Sequence, residues 1–231
     1  MRKFFMLMVL CNIGFLNAQQ QVANPPGTIK LNDSVYIDAI PVSNLMFEEY
    51  LVVKMELDAK GYASFQKYAE NTPDTEIIKK FPINYIIPNL TLLYQHSPAL
   101  LKLGYDNNFR FSEHPVLNVP KILATDFCNW RTEMVAYLWQ NNGFDSALAE
   151  MSDKISYRLA TKTELIEAFD FFSESKSTVD FKRKLFKIKK DDIADKYTRF
   201  PIQEMTLSDE VYQDDSGYQY TGFRCVCEVK R

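Results

Sequence analysis

Apolar residues near the start of the chain follow first a strand-like and then a helix-like pattern. Residues 35–37 are β-branched or aromatic, which favours a β-strand. Apolar side chains then recur at helical spacing over residues 46–51. Either Ser43 or Asn44, which precede that pattern, could cap the helix. The pattern therefore predicts a strand followed by a core helix.

The clearest helical pattern covers residues 121–139. Its apolar side chains lie on one face, and Pro120 stands at the start, where a missing N–H costs little. Further along, Thr161 and Glu164 have the spacing of a capping box that opens a short helix. Aromatic and β-branched residues at 217–229 predict a terminal strand. Helices and strands in this order predict an α+β fold.

The segment around residues 56–113 has no regular pattern. Prolines at positions 73, 82, 88 and 98 interrupt it, and Pro73 followed by Asp74 is typical of a turn. The segment is too long to be an ordinary connecting loop. We therefore expect an insertion, which is either a subdomain or an excursion along the surface.

Residues 1–18 have the order of a secretory signal peptide. Arg2 belongs to a short basic start, an apolar run follows, and Ala18 is a small residue at a plausible cleavage point. The apolar run is too short to span a bilayer, which needs about 20 residues. We therefore expect an exported protein whose mature part, residues 19–231, is a single domain. Cys11 leaves open the alternative of a lipid anchor.

The charge of the chain gives no reason to expect a nucleic-acid partner, because the formal net charge is -3. Lysines are nevertheless dense at residues 182–190, with apolar side chains between them. Such a run can dock an anionic partner or a membrane surface. Asp191, Asp192 and Asp195 dilute the positive field, which favours a solvated surface element.

The mature chain holds three cysteines, so at most one intramolecular disulfide can form. Cys225 and Cys227 are two residues apart on a predicted strand and share one face, so spacing alone leaves the partner of Cys128 open. None of the cysteines has zinc-site spacing, and His96 and His114 stand far apart. We expect no metal and no cofactor.

Five short motifs follow one another along the mature chain. They are Tyr36-Ile37-Asp38 with Pro41-Val42-Ser43-Asn44, His114-Pro115-Val116-Leu117-Asn118-Val119, Phe127-Cys128-Asn129-Trp130, Tyr157-Arg158-Leu159-Ala160-Thr161-Lys162-Thr163-Glu164, and Gly222-Phe223-Arg224-Cys225. In this order they resemble the formylglycine-generating-enzyme (sulfatase-modifying-factor) domain family. The resemblance implies a variation of the C-type lectin fold, rich in irregular structure, with a strand at 114–119 before the main helix.

The resemblance also implies which residues matter for the fold. The positions matching Cys128 and Cys225 are bridged in some members, which makes these two the disulfide candidates, although a bridge from Cys128 to Cys227 stays open. Structural roles are implied for Asn44, His114, Trp130, Arg158, Glu164, Gly222, Phe223 and Arg224.

The sequence departs from this family where the family's chemistry is located. The family's oxidase reaction uses two closely spaced cysteines that bind copper, and no cysteine stands between Tyr157 and Gly222. A thiolate supplies both the nucleophile and the soft ligand for Cu(I), so we expect a pseudoenzyme with no catalytic residues. The family's calcium-binding segment is eroded at residues 204–212, where Asp209 and Glu210 fit a solvated acidic turn better than a cation site.

A narrower resemblance concerns residues 71–75 and 127–135, which are similar to gliding-motility lipoproteins of Bacteroidetes. That group has the same fold without oxidase activity and builds envelope structures, including the outer-membrane ring of the type IX secretion system. We therefore expect a non-catalytic protein of the periplasm, outer membrane or cell surface. Its expected partners are envelope proteins of a secretion or gliding-motility apparatus. Those lipoproteins have a lipobox, and this chain has at best a poor one.

Two alternatives remain at this stage. The first is a lectin-like module for a small ligand or glycan, with Tyr212, Tyr218 and Tyr220 as a sugar platform. The second is an enzyme, either of the sulfatase-modifying-factor type or with unrelated chemistry. Unrelated chemistry requires a perturbed acid or histidine in a deep pocket.

Overall fold

The computed structural model describes residues 24–80, 89–141, 146–174, 188–189, 199–200, 203–208, 211–212 and 220–230. The predicted signal peptide and most of the lysine-rich run lie outside the described residues, as do Asp209, Glu210 and Tyr218. Within the described ranges, no helix combines the length and the apolar character that a membrane span requires.

Along the described chain, two strands are followed by a run of helices, and most of the remaining strands lie towards the C-terminus. The helices are α1 (Asn44–Lys60), α2 (Phe65–Asn71), α3 (Asp74–Lys80), α4 (Thr91–Tyr94), α5 (Pro98–Lys102), α6 (Lys121–Asn141), α7 (Ser146–Met151) and α8 (Lys162–Glu174). The strands are β1 (Thr28–Lys30), β2 (Val35–Asp38), β3 (Ile155–Leu159), β4 (Ile188–Lys189), β5 (Arg199–Phe200), β6 (Gln203–Met205), β7 (Val211–Tyr212), β8 (Thr221–Phe223) and β9 (Cys225–Val229). The predicted α+β class is confirmed.

The principal sheet is antiparallel and has the strand order β1-β2-β9-β3. Helices α1 and α6 pack on one face, where Tyr36, Tyr157 and Cys227 join the main core. Helix α8 covers the other face, where its Leu165 packs with Val226 of β9. Strand β9 is therefore covered on both faces, as its continuous apolar stretch suggests.

The terminal strand predicted at 217–229 is divided in the structure. Strand β8 runs parallel to β6 in a separate three-stranded sheet, whereas β9 belongs to the principal sheet. The break falls at Arg224, whose side chain is fully buried. The prediction of one strand was wrong because Arg224 leaves the strand direction to form buried polar contacts.

Helix α1 is longer than its apolar pattern indicated and ends at Lys60, inside the segment expected to be an insertion. Ser43 is its N-cap, because the Ser43 hydroxyl accepts a hydrogen bond from Met46 N at 3.3 Å. Gly61 ends the helix with a φ of 75°, a left-handed conformation that glycine adopts at low cost.

Residues 89–111 pack into the main core instead of lying on its surface. The Tyr94 hydroxyl donates to Asn44 Oδ1 at 2.7 Å and accepts from Leu117 N at 3.0 Å. The Tyr105 hydroxyl donates to Pro115 O at 2.7 Å. The buried apolar side chains of this segment are Leu90, Tyr94, Leu100, Tyr105 and Phe111.

The strand expected at 114–119 does not form. Pro115 makes only an isolated bridge with Ser43, and Val116 N donates to Val42 O at 2.8 Å. Asn118 has a φ of 54°, in the left-handed region, which turns the chain away from an extended path. Proline also provides no N–H for a sheet ladder, so the segment continues as an irregular connection.

The predicted capping box at the start of α8 is confirmed. Thr161 N donates to Glu164 Oε2 at 2.8 Å, and Glu164 N donates to Thr161 Oγ1 at 3.2 Å. Arg158 Nη2 also forms a 2.6 Å ion pair with Glu164 Oε1, so the box is tied to strand β3. The resemblance motif at 157–164 therefore fixes the start of α8 on the sheet.

Replacing Thr161 by alanine should lower the free energy of unfolding by about 1 kcal/mol, because the Glu164 N–H loses its acceptor. Urea denaturation measures the change. Thr161→Ser retains the hydroxyl and should stay close to the parent protein. Equal losses for the serine and alanine variants would show that the hydroxyl is not what stabilises this helix start.

Candidate functional site

Two of the three cysteines that the structure describes meet inside the protein. Cys128 of α6 and Cys225 of β9 are fully buried, and their Sγ atoms lie 2.9 Å apart as free thiols. Cys227 is also buried and shares the same face of β9. Its thiol donates a hydrogen bond to Glu228 O at 3.9 Å. Contact with Cys128 is therefore made by Cys225, the partner implied by the resemblance.

The chemistry of the buried thiols is set by their environment. Burial raises the pKa of the Cys225 thiol well above its usual range, and contact with Cys128 raises it further. Burial also raises the pKa of Cys227 to about 12, although Arg131 opposes this shift. Both thiols are thus held in the neutral form, whereas nucleophilic and metal-binding cysteines are thiolates. The raised pKa values disfavour nucleophilic attack, whereas the contact between Cys128 and Cys225 is close enough for a disulfide.

Charged side chains surround the cysteines in the interior. Arg131 Nη1 pairs with Asp38 Oδ2 at 2.8 Å, and the same carboxylate oxygen accepts from Cys225 N at 2.9 Å. Arg224 Nε pairs with Glu204 Oε1 at 2.8 Å, and Arg224 Nη1 donates to Asp38 O at 2.6 Å. Two arginines balance two carboxylates here. These contacts join β2, α6, β6 and β9, so their role is to hold the fold together.

The residues singled out by the resemblance fall into separate places. Asn44 and His114 contact the segment 89–111, where the His114 ring packs edge-on to Phe111. Trp130 packs against Tyr50 with ring centroids 5.7 Å apart. The others lie in two further places. Arg158 and Glu164 pair on the α8 side of the principal sheet, and Gly222 and Phe223 of β8 are buried, as is Arg224 between β8 and β9. They support the core and do not converge on one site.

An open groove follows the solvent side of α6 and was not predicted from the sequence. Its two wide parts measure about 550 Å³ and about 730 Å³, and a narrow part of about 60 Å³ shares lining residues with both. Helix α2 forms a wall at one end and Lys54 of α1 lies at the other. The α6 residues along this groove, which we call the α6 groove, include Ile122, Asp126, Asn129, Glu133 and Gln140.

The two ends of the α6 groove differ in charge. At the α1 end, Lys54 Nζ pairs with Asp126 Oδ2 at 2.6 Å, and Ile122 beside them is 77% exposed. At the α2 end the lining residues include the carboxylates of Glu70, Asp74, Glu133 and Asp153, together with amide side chains but no lysine or arginine. The α2 end is therefore suited to a cationic or hydrogen-bonding ligand.

The sequence contained part of the signal for this groove. Asp126, Asn129, Glu133 and Gln140 recur at helical spacing and form a polar stripe opposite the apolar face of α6. Such a stripe is usual on any surface helix. Its special feature is the wall made by α2, which lies in the proline-interrupted segment where no regular pattern was evident.

The structure also bears on two ligand sites considered from the sequence. Tyr220 is buried, so it does not offer an exposed ring for a sugar. The side chain of Tyr212 and all of Tyr218 lie outside the described residues. In the part of the chain that the structure describes, no group of three or more His, Cys, Asp or Glu side chains could hold a metal ion.

Comparison of the chain with protein-family models, with curated proteins and with solved structures gives no match. The architecture is therefore described from its own elements, as a mixed α+β fold with helices on both faces of an antiparallel sheet.

Proposed function

We propose that this protein is an exported, non-catalytic component of the cell envelope that acts by binding other proteins. Its domain is a formylglycine-generating-enzyme-like variation of the C-type lectin fold. Its partners are envelope proteins of a secretion or gliding-motility apparatus, and its location is the periplasm, outer membrane or cell surface. The signal-peptide pattern and the ordered motifs in the sequence support the export and family parts of this proposal.

One structural contrast carries the binding part of the proposal. The three mature cysteines are buried, and burial raises the pKa of Cys225 and Cys227, which disfavours the thiolate that oxidase chemistry requires. The α6 groove, in contrast, is open along the surface and ends in solvated carboxylates. Elongated grooves of this kind suit segments of other proteins.

Photo-crosslinking in the native cell tests the binding function. We expect a photoreactive amino acid at Gln140 or Ile122, both exposed in the α6 groove, to give a discrete adduct with an outer-membrane secretion or motility protein. The matched control is the same amino acid at exposed Glu167 of α8, on the opposite side of the sheet. If the protein stays monomeric and gives no adduct at either groove position, it is not a component of a secretion or gliding-motility apparatus.

The non-catalytic part has its own test. The purified mature chain, supplied with copper and a thiol-containing peptide under oxygen, should leave that peptide unoxidised beyond a protein-free control. Copper-dependent oxidation that is lost in Cys225→Ser would instead identify an enzyme. Saturable binding of a glycan, lost on changing Tyr212 or Tyr218, would favour the lectin-like alternative.

A further inference from the structure

We propose that the α2 end of the α6 groove binds an extended, arginine- or lysine-containing segment of a partner protein. The inference rests on the proposed binding function and names the chemical class of its partner. The observation behind it is the juxtaposition of carboxylates from four parts of the chain around one groove: Glu70 of α2, Asp74 at the start of α3, Glu133 of α6, and Asp153 before β3.

The walls at this end are held in place before any ligand arrives. Phe65 of α2 packs edge-on against Tyr137 of α6, with ring centroids 5.5 Å apart and an interplanar angle of 79°. Glu133 Oε2 accepts a hydrogen bond from Gln66 N at 3.0 Å, which links the same two helices. A preformed groove spares the partner the free-energy cost of opening one.

Three carboxylates are oriented by the protein through one oxygen each. Asp74 Oδ1 accepts from the Tyr137 hydroxyl at 3.2 Å, and Asp153 Oδ1 accepts from Gln140 Nε2 at 3.0 Å. Glu133 uses Oε2, as described above. No hydrogen bond among the described residues uses the second oxygen of these three groups. Oriented carboxylates with an oxygen left for a ligand are good acceptors for guanidinium and ammonium groups.

The local cations do not neutralise this end. Lys67 pairs with Glu70 at 2.8 Å, so that carboxylate is already partnered. At the other end of the groove, Lys54 pairs with Asp126 and Lys121 Nζ donates to Ser208 O at 2.9 Å. Among the side chains that the structure describes along the groove, the charge without an ion pair is thus negative and located at the α2 end. It attracts a cationic group and repels phosphate or nucleic acid.

The length of the α6 groove points to a peptide and not to a small cation. Ile122 and Glu133 are separated by about 16 Å along α6, at about 1.5 Å per helical residue. An extended peptide covers that distance with about five residues. Gln66 Nε2 and Gln140 Nε2 already donate to Glu70 and Asp153, so these side chains offer their carbonyl oxygens to the peptide backbone. Exposed Ile122 offers an apolar contact beyond the basic residue.

Fluorescence anisotropy with the purified mature chain tests this inference. The probe is a fluorescein-labelled heptapeptide with two arginines at one end and two leucines at the other. We expect saturable binding that weakens as salt is added, because the ion pairs between the peptide and the groove carboxylates are exposed to solvent. The groove variant Asp74→Asn/Asp153→Asn keeps the shape and the acceptor oxygens, and it should weaken binding by about tenfold.

The matched control removes the same number of charges elsewhere. Glu113→Gln/Glu167→Gln changes two exposed carboxylates that do not line the α6 groove, and it should bind within about twofold of the parent by additivity of distant sites. Equal weakening in both double variants would overturn the inference, since binding would then follow total charge. Absence of saturable binding to the parent chain would also overturn it.

The two proposals fail in different ways. If the peptide does not bind but a photoreactive amino acid at position 140 still cross-links to an envelope protein, the groove does not recognise a basic segment and the binding function stands. If the peptide binds at the groove but no adduct forms in cells, the groove chemistry stands and the apparatus role is wrong.

Discussion

Replacing Arg224 by methionine should lower the free energy of unfolding by about 3–5 kcal/mol, the largest loss expected for a single polar substitution in this protein. Arg224 and Glu204 are both 0% exposed and pair at 2.8 Å. Without the guanidinium, Glu204 remains in the interior with no opposite charge. Urea denaturation of the variant and the parent protein measures the loss.

The stability lost on replacing Arg224 by methionine should increase as pH rises. Burial already raises the pKa of Glu204 above its usual range, while Arg224 opposes the shift. Removing Arg224 raises this pKa further, so the folded variant binds a proton that the unfolded chain, with a pKa of about 4.3, releases. The stability of the variant therefore falls as pH rises from about 5 to 8. A loss that is the same at both ends of that range would contradict this account.

A double variant separates the destabilisation caused by the unpaired buried charge from the destabilisation caused by lost packing. Arg224→Met combined with Glu204→Leu removes both charges and fills much of the space. We expect it to recover a large part of the stability lost in Arg224→Met, because apolar replacements of buried ion pairs are often nearly neutral. A double variant that is less stable than the single one would show that the pair itself is favourable.

Oxidation of the purified protein should join Cys128 to Cys225 and raise the free energy of unfolding by about 4.7 kcal/mol, on the chain-entropy model for a loop of about 100 residues. The two thiols are in contact at 2.9 Å. With oxidised glutathione as the oxidant, they lose two electrons and two protons, and two molecules of reduced glutathione form. Urea denaturation with and without reductant gives the difference, and peptide mapping without reduction identifies the bond.

Single substitutions provide the controls for this disulfide. Cys227→Ser should keep the difference between oxidised and reduced protein, whereas Cys225→Ser should remove it. A mapped peptide that joins Cys128 to Cys227 would contradict the pairing. Cys128 is in contact with Cys225, and Cys227 lies two residues further along β9, at about 3.3 Å per residue, so such a bond would require α6 to shift along the sheet.

Elements that depend on neighbouring residues could be predicted from the sequence. Helix α6 and strand β2 follow the apolar patterns at 121–139 and 35–37, and the structure confirms both. The capping box of Thr161 and Glu164 is also confirmed, because its hydrogen bonds join residues three positions apart. In each case the pattern that indicates the element lies within the segment itself.

Features that depend on distant residues could not be predicted in this way. The break between β8 and β9 exists because Arg224 reaches Glu204, 20 residues away, and Asp38, 186 residues away. No pattern around Arg224 contains those partners. The α6 groove likewise needs a wall from α2, and the proline-interrupted sequence gave no sign that Phe65 would pack on Tyr137.

The central place of β9 in the principal sheet governs when the protein can fold. Strands β2 and β3 do not pair with each other, and each is bonded to β9, as in the pairs Tyr36–Cys227 and Tyr157–Cys227. Until β9 emerges from the ribosome, the described part of this sheet consists of the β1–β2 hairpin and a lone strand, and an isolated hairpin is only marginally stable in water. Contacts between such distant residues also slow folding. The principal sheet can therefore be completed only after residues 225–229 have been synthesised.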